Sequence, residues 1–486
     1  MKKALLILSF GFLLLLAVLL VRTALLTSKQ IQVEPVPAVV LDTESTAIRL
    51  ANALRYPTLS HLDPAQRNEP TFADINEYLI DTFPLIHATL IREAVGDHGV
   101  LYTWSGIESD SKPILLMAHI DVVPVEPGTE EDWEYSPFAG QIADGYIWGR
   151  GAIDNKSAVL ALLEAVEVLL GDGFQPKRTV FLAFGQDEEV GGRLGAATIV
   201  DLLASRGVKL EYVLDEGGLV LADAPPLNAP VAMVGIAEKG YVSLALSVEG
   251  EGGHSSMPPR QTAVGILSSA VATLQDNPFP GGLRGPTRQY LSYVGPELPF
   301  FQRMIFANTW LFGALIERQL AASPSSDAIL RTTTAPTMFE GSIKDNVLPL
   351  RARAVVNFRI FPGETVESVT ERVRNLIDDS RVHIELYSNF TNNPSPVSST
   401  EAPAFGIIQH TIRQVFPDAV MAPFLVVAAT DSRYYQRLSE NVYRFQPIRL
   451  RQEDLSRMHG ANERISIEDY ADSIRFYRQL IVNSNR

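Results

Sequence analysis

Cysteine is absent from the 486-residue chain. Disulfides and thiolate zinc sites are therefore excluded, and any metal must sit on histidine and carboxylates. Basic clusters are missing too. The formal charge is −15 and no run of Lys or Arg offers phosphates a footprint, which argues against nucleic acid as a partner. Neither an internal repeat nor a low-complexity tract is present. One long apolar run, Ala4 to Val21, follows Lys2 and Lys3 and closes at Arg22. At about 1.5 Å per residue it reaches roughly 27 Å, enough to cross a membrane core. No convincing small-x-small cleavage site follows it, so residues 1–28 read as a signal-anchor in preference to a removed signal peptide. With the basic side cytoplasmic, the body is expected on the exported face, periplasmic, extracellular or lumenal. Cleavage would instead give a secreted protein.

A hydrophobic content of 46% against 20% charged describes an ordinary globular body, long enough for two or more domains. Residues 29–44, with Glu34-Pro35-Val36-Pro37, read as an extended tether that lifts the body off the membrane. Helical spacing appears at Ile48, Leu50 and Leu54, and again at Phe72, Ile75, Leu79 and Phe83. From residue 113 the pattern turns to strand, helix, strand, helix. Ile114 to Ala118 is an unbroken apolar strand, Ser157 to Leu170 a buried helix, and Thr179 to Phe184 the next strand. Ala196 to Ser205 is a helix and Tyr212 to Leu214 a strand. That alternation predicts an α/β fold with a mainly parallel sheet. Near Glu238 the texture changes. Val242, Leu244, Leu246 and Val248 alternate with polar neighbours, as in a strand half exposed to water. Residues 239–388 therefore read as an inserted α+β lid domain between the two parts of a catalytic domain, 45–238 and 389–486. Within the insert, 283–335 is a block rich in Phe, Leu and Trp. It reads first as helix core, with an acyl chain or a membrane surface as the alternative, and it could cover the lid sheet.

Chemistry-bearing residues gather where strands are expected to end. The first strand closes on His119, with Asp121 two residues on, where a carboxylate can orient an imidazole. Trp148-Gly-Arg-Gly-Ala-Ile-Asp-Asn-Lys156 sets Asp154 just before the buried helix, a place that suits an N-cap as well as a metal ligand. Phe184-Gly-Gln-Asp-Glu-Glu-Val-Gly-Gly192 puts three mutually repelling acids after a buried strand. Such a run is either a solvated loop tip or a cation site. Val213-Leu-Asp-Glu-Gly-Gly218 repeats the arrangement with Asp215 and Glu216, and Met458-His-Gly-Ala-Asn-Glu463 supplies His459, which alone reads as a surface histidine. In an open α/β sheet the carboxyl ends of the strands share one edge, so these stretches converge. Two histidines with several carboxylates exceed the needs of one zinc. They suit two ions about 3.5–4 Å apart.

The ordered set AHIDVVP, GRGAIDNK, DEEVGG, LDEGG, GGHSSMPP, NVLP, TDSRYY and HGANER resembles the zinc metallopeptidase family of aminoacylase, bacterial glutamate carboxypeptidase and vacuolar Gly-Xaa carboxypeptidase. The hydrophobic N-terminus and long lid block are most similar to its Gly-Xaa carboxypeptidase and N-fatty-acyl-amino-acid hydrolase branch. The resemblance implies two Zn2+ ions bridged by Asp154. His119 with Glu216 or Asp215 would hold one ion, and Glu189 with His459 the other. Glu216 is preferred to Asp215 because it directly precedes the glycines. Glu188 would be the general base, with Asp121 orienting His119. From the lid, His254 would donate to the oxyanion and Asn346 and Arg359 would hold substrate, although Arg359 also suits a solvated strand face. Arg433 would grip the substrate carboxylate. The implied activity is cleavage of the amide bond of an N-acyl or N-peptidyl amino acid. A strict dipeptidase is the alternative, and a non-catalytic, metal-stabilised binding protein a remote one. A homodimer through the lid is a further implication, since the oxyanion histidine of dimeric relatives comes from the other copy.

Overall fold

The computed structural model describes residues 2–486 apart from 35, 37, 38, 62, 64, 65 and 389. Pro35 and Pro37 of the expected tether thus lie outside the described residues.

Four strands form the middle of a ten-stranded sheet, in the order Val180–Gly185, Ile114–His119, Val213–Asp215 and Val442–Arg444, all mutually parallel. Ile114–His119 is buried throughout, and its alternation divides it between two cores. Ile114, Leu116 and Ala118 join the helices Lys156–Gly171, Pro403–Val415 and Ile467–Ser484 on one face, while Leu115 and Met117 join Ala196–Ser205 on the other. The sheet is mainly parallel, as expected, with antiparallel strands added at its flanks. Ile91–Val95 and Gly99–Trp104 form a hairpin that joins antiparallel to Val180–Gly185, and Val231–Glu238 adds antiparallel on the far side. A tight turn can join only antiparallel strands, because a parallel neighbour needs a crossover of a dozen or more residues.

The chain leaves this sheet at Glu238 and enters a four-stranded antiparallel sheet within two residues. Its order is Thr333–Glu340, Arg351–Ile360, Gly240–Glu249, His383–Leu386. The alternating Val242, Leu244, Leu246 and Val248 share a separate core with Leu267 of helix Ala263–Asp276 and Val369 of helix Val366–Ile377. The Phe-rich block does not cover this second sheet. Its first helix, Gly285–Val294, packs on the strand Val420–Val426 of the large sheet, with Tyr290 against Phe424 and Tyr293 against Phe405. The next two, Phe300–Ala307 and Thr309–Leu320, bury no residue and one residue respectively, so helix core accounts for only part of the block.

Lys2–Leu25 is one helix, long and apolar enough to cross a membrane. The segment after it does not hang free. Gln30 exchanges two hydrogen bonds of 2.9 Å with the backbone of Met421, and Gln409 donates to the Lys29 carbonyl. Among the described residues the strand Val420–Val426 pairs with one strand only, and the Gln30 amide covers part of its other edge. The first residues of the expected tether therefore hold the body to the helix end.

Candidate metal centre

Parallel strands deliver their last residues to one edge. His119 sits level with Gly185, and Asp215 with Arg444. After Gly185 the chain makes a short turn, Glu188–Val190, whose exit depends on Gly192 at φ +63°. A Cβ there would fall 1.7 Å from Asp431 Oδ1. The C-terminal loop reaches this edge through a small sheet in which Arg464–Ser466 pairs with Tyr146–Trp148. Residues 459–463 consequently lie against 149–154.

Five side chains form two triads that share one member. His119 Nε2 lies 2.9 Å from Asp154 Oδ1 and 3.2 Å from Glu216 Oε1. His459 Nε2 lies 3.1 Å from Asp154 Oδ2 and 3.2 Å from Glu189 Oε2. In each triad the ligand atoms all fall within 4.8 Å of one another. Asp154 is not a helix N-cap. Asn155 holds that position without a capping hydrogen bond, and its amide donates to Glu216. Glu188 stands outside both triads. Asp215 also turns out of them. It accepts from the Ser432 N–H at 2.9 Å, because successive side chains leaving a strand point to opposite sides.

Asp121 is fully buried and does more than orient a ring. Its Oδ1 lies 3.3 Å from His119 Nδ1, and the N–H groups of Glu188 and Glu189 donate to its two oxygens at 3.2 and 3.1 Å. Ser60 donates to it as well. Asp121 thus holds the histidine through its main-chain carbonyl, 3.0 Å from His119 Nδ1, and the acidic turn through its carboxylate.

The electrostatics are those of anions held together against repulsion. Burial and the Asp154 carboxylate push Glu189 and Glu216 up to about 7. Burial pushes Glu188 well up, and Asp431, Glu216 and Glu189 add to it. Asp154 is opposed by burial, yet His119 and His459 hold it well below the usual carboxylate range. Asp154 and Glu189 in turn raise His459 to about 10. Glu189 Oε1 is buried with no hydrogen-bond partner. An orphaned oxygen beside crowded carboxylates and two imidazoles is a donor set made for a cation, and its N/O composition suits zinc.

Sequence reasoning overlooked the residues that brace this set. Glu463 is fully buried; it binds Arg150 Nη1 at 2.7 Å and accepts the N–H groups of Gly151, Ile153 and Asp154 at 3.1, 2.7 and 3.0 Å. Its only sequence signal was its place in the same motif as His459. The residues expected to meet substrate are arranged less uniformly. Arg359 stacks 4.9 Å over Tyr241, Tyr241 meets Phe390 at 5.2 Å, and Arg433 lies 5.9 Å over Phe390. Arg433 also donates to the Gly191 carbonyl at 2.7 Å, which places it on the acidic turn. Arg359 is therefore stacked and half-buried, not a solvated strand residue. His254 and Asn346 lie side by side on an exposed ribbon, where Ser255 N–H donates to the Asn346 carbonyl at 3.2 Å. Among the described residues no hydrogen bond or ion pair joins either of them to the triads.

Residues 115–483 match the family model of Peptidase family M20/M25/M40. The chain is 42% identical over 483 residues to a probable carboxypeptidase S-like 2 of Dictyostelium discoideum, covering 97% of this chain and 92% of the relative. It is 42% identical over 440 residues to an N-fatty-acyl-amino acid synthase/hydrolase, PM20D1.1, of Danio rerio, covering 89% and 84%. In fold it is similar to the crystal structure of an M20 family metallo-carboxypeptidase from Sulfolobus solfataricus, with a TM-score of 0.65 at 19% identity over 92% of this chain and all of that one.

Proposed function

The chain belongs to Peptidase family M20/M25/M40, and on that premise we propose that it is an exported, membrane-tethered di-zinc hydrolase. Its substrate is an N-acyl or N-peptidyl amino acid with a free carboxylate, and the bond broken is the amide. The observation that carries this reading is the sharing of Asp154 between His119 and His459 across two triads.

His119, Asp154 and Glu216 would hold one ion, and Asp154, Glu189 and His459 the other. Zinc held there would supply Lewis acidity to the scissile carbonyl and to the attacking water. Glu188 takes the proton of the attacking water and delivers it to the leaving amine. A carboxyl pushed well up by its surroundings is suited to that shuttle, since it can hold a proton near neutral pH. Arg433, with an N–H left on each terminal nitrogen beyond those bonded to the Thr430 and Gly191 carbonyls, pairs with the substrate carboxylate, and Arg359 adds positive potential across the Tyr241–Phe390 rings. Residues 239–388 act as a lid. His254, with Asn346, is presented outward and stabilises the oxyanion in a second copy of the chain.

The test is a panel of N-acetyl, N-oleoyl and Gly-Xaa amino acids offered to purified, zinc-loaded protein. Hydrolysis that requires the free carboxylate is expected. Cleavage confined to dipeptides would favour the narrower dipeptidase reading, and equal rates on carboxyl-amidated substrates would overturn the role given to Arg433.

A further inference from the structure

We propose that the helices Phe300–Ala307 and Thr309–Leu320 form a platform that sits in the membrane interface beside the N-terminal span. The proposal rests on reading Lys2–Leu25 as that span and goes beyond it, because it adds a second membrane contact made by the enzyme body itself.

The first observation is where the span meets the body. Leu19 and Thr23, one turn apart, are the residues of the helix that are buried, whereas Leu5 to Leu8 are at least 69% exposed. At this exit Asn308 donates to the Leu19 carbonyl at 3.2 Å, and Arg22 Nε donates to the Ala307 carbonyl at 3.4 Å. Arg303 caps the Leu26 carbonyl, and Lys29 lies 4.7 Å over Tyr293. The junction of the two proposed platform helices is therefore tied to the level at which the span leaves the bilayer.

The second observation is what those helices show to the outside. Phe301 is 74% exposed, Leu315 56%, Phe300 and Trp310 54% each, and Leu311 44%. Leu311, Ala314 and Leu315 recur at helical spacing, with the exposed Arg318 continuing the stripe. Bulky apolar side chains with a tryptophan, gathered on short helices next to a span, have the composition of an interfacial segment. A water-facing surface would leave that patch solvated at a standing cost. Continuity with the span selects lipid as the occupant over a second protein.

The chain lacks cysteine, so single cysteines can carry an environment-sensitive fluorophore. The experiment uses the full chain in phosphatidylcholine vesicles, with or without a phospholipid bearing a nitroxide high on its acyl chain. Phe301→Cys and Leu311→Cys are the platform reporters, Phe12→Cys reports the span, and Ile343→Cys, fully exposed, reports water. Labels at 301 and 311 should be blue-shifted and strongly quenched by the nitroxide lipid, as at 12 and unlike 343. The native fluorescence gives an independent reading: Trp104, Trp133 and Trp148 are buried, so nitroxide lipid should quench wild type more than Trp310→Phe. Quenching at 12 with none at 301 or 311 overturns the platform. A blue shift at 301 and 311 without lipid quenching also overturns it and assigns the face to pairing between copies. No quenching even at 12 overturns the span and the platform together.

Discussion

Adjacent residues with the same side chain chemistry take opposite roles at this site, and the backbone decides which. Glu189 enters a triad and Glu188 does not; Glu216 enters one and Asp215 hydrogen-bonds to the Ser432 backbone instead. The sequence offered DEE and DE without distinguishing their members by periodicity. Glu216, which directly precedes the glycines, lies in the triad with His119 and Asp154, and Asp215 does not. The sharper consequence concerns Glu188. Glu188→Gln keeps the shape and removes the proton carrier, so zinc content should stay at the wild-type level while kcat falls about a hundred- to ten-thousand-fold. Metal analysis on the same sample as the assay separates the two effects. Full activity in that variant would reject the assignment of the base.

At the scale of elements, most of the fold was readable because hydrophobic periodicity is local. Ile114–His119, Val180–Gly185 and Ala196–Ser205 match their expected spans within a residue. What could not be read was contact between distant stretches that leaves no periodic trace. The pairing of Arg464–Ser466 with Tyr146–Trp148 places His459 by the metal triads, and a surface histidine was the better reading of that residue alone. Nor did the pattern foretell that Gln30 would bind Met421, or that half the Phe-rich block would face outward. Glu463 binds those same two loops together through Arg150 and three backbone N–H groups. Glu463→Ala leaves the Arg150 charge buried without its partner, at a cost of about 3–5 kcal/mol. Chemical denaturation should register that loss, along with weaker zinc binding. The milder Glu463→Gln should retain the fold and still bind zinc less tightly.

For the whole molecule, the crowded carboxylates couple stability to pH and metal. Glu189 and Glu216 titrate near 7 in the folded, metal-free protein and near 4.5 when unfolded. A raised folded-state pKa gives stability that is full below the unfolded value and is lost as pH rises through the folded one. His459, raised to about 10, loses its contribution in the same direction above about 6.5. Metal-stripped protein should therefore melt at progressively lower temperature from pH 6 to pH 8. Zinc binds the deprotonated groups, so the gap in Tm between loaded and stripped protein should widen over the same range. A stripped protein whose Tm is flat or rises across that range would contradict the description of the site as repelling anions.

Anomalous diffraction from zinc-loaded crystals, recorded on both sides of the zinc edge, tests whether Asp154 is shared by two metal sites. Two peaks flanking Asp154 are expected, one beside His119 and Glu216 and the other beside Glu189 and His459. A single peak, or a pair that leaves His459 or Asp154 without a metal, would contradict that sharing.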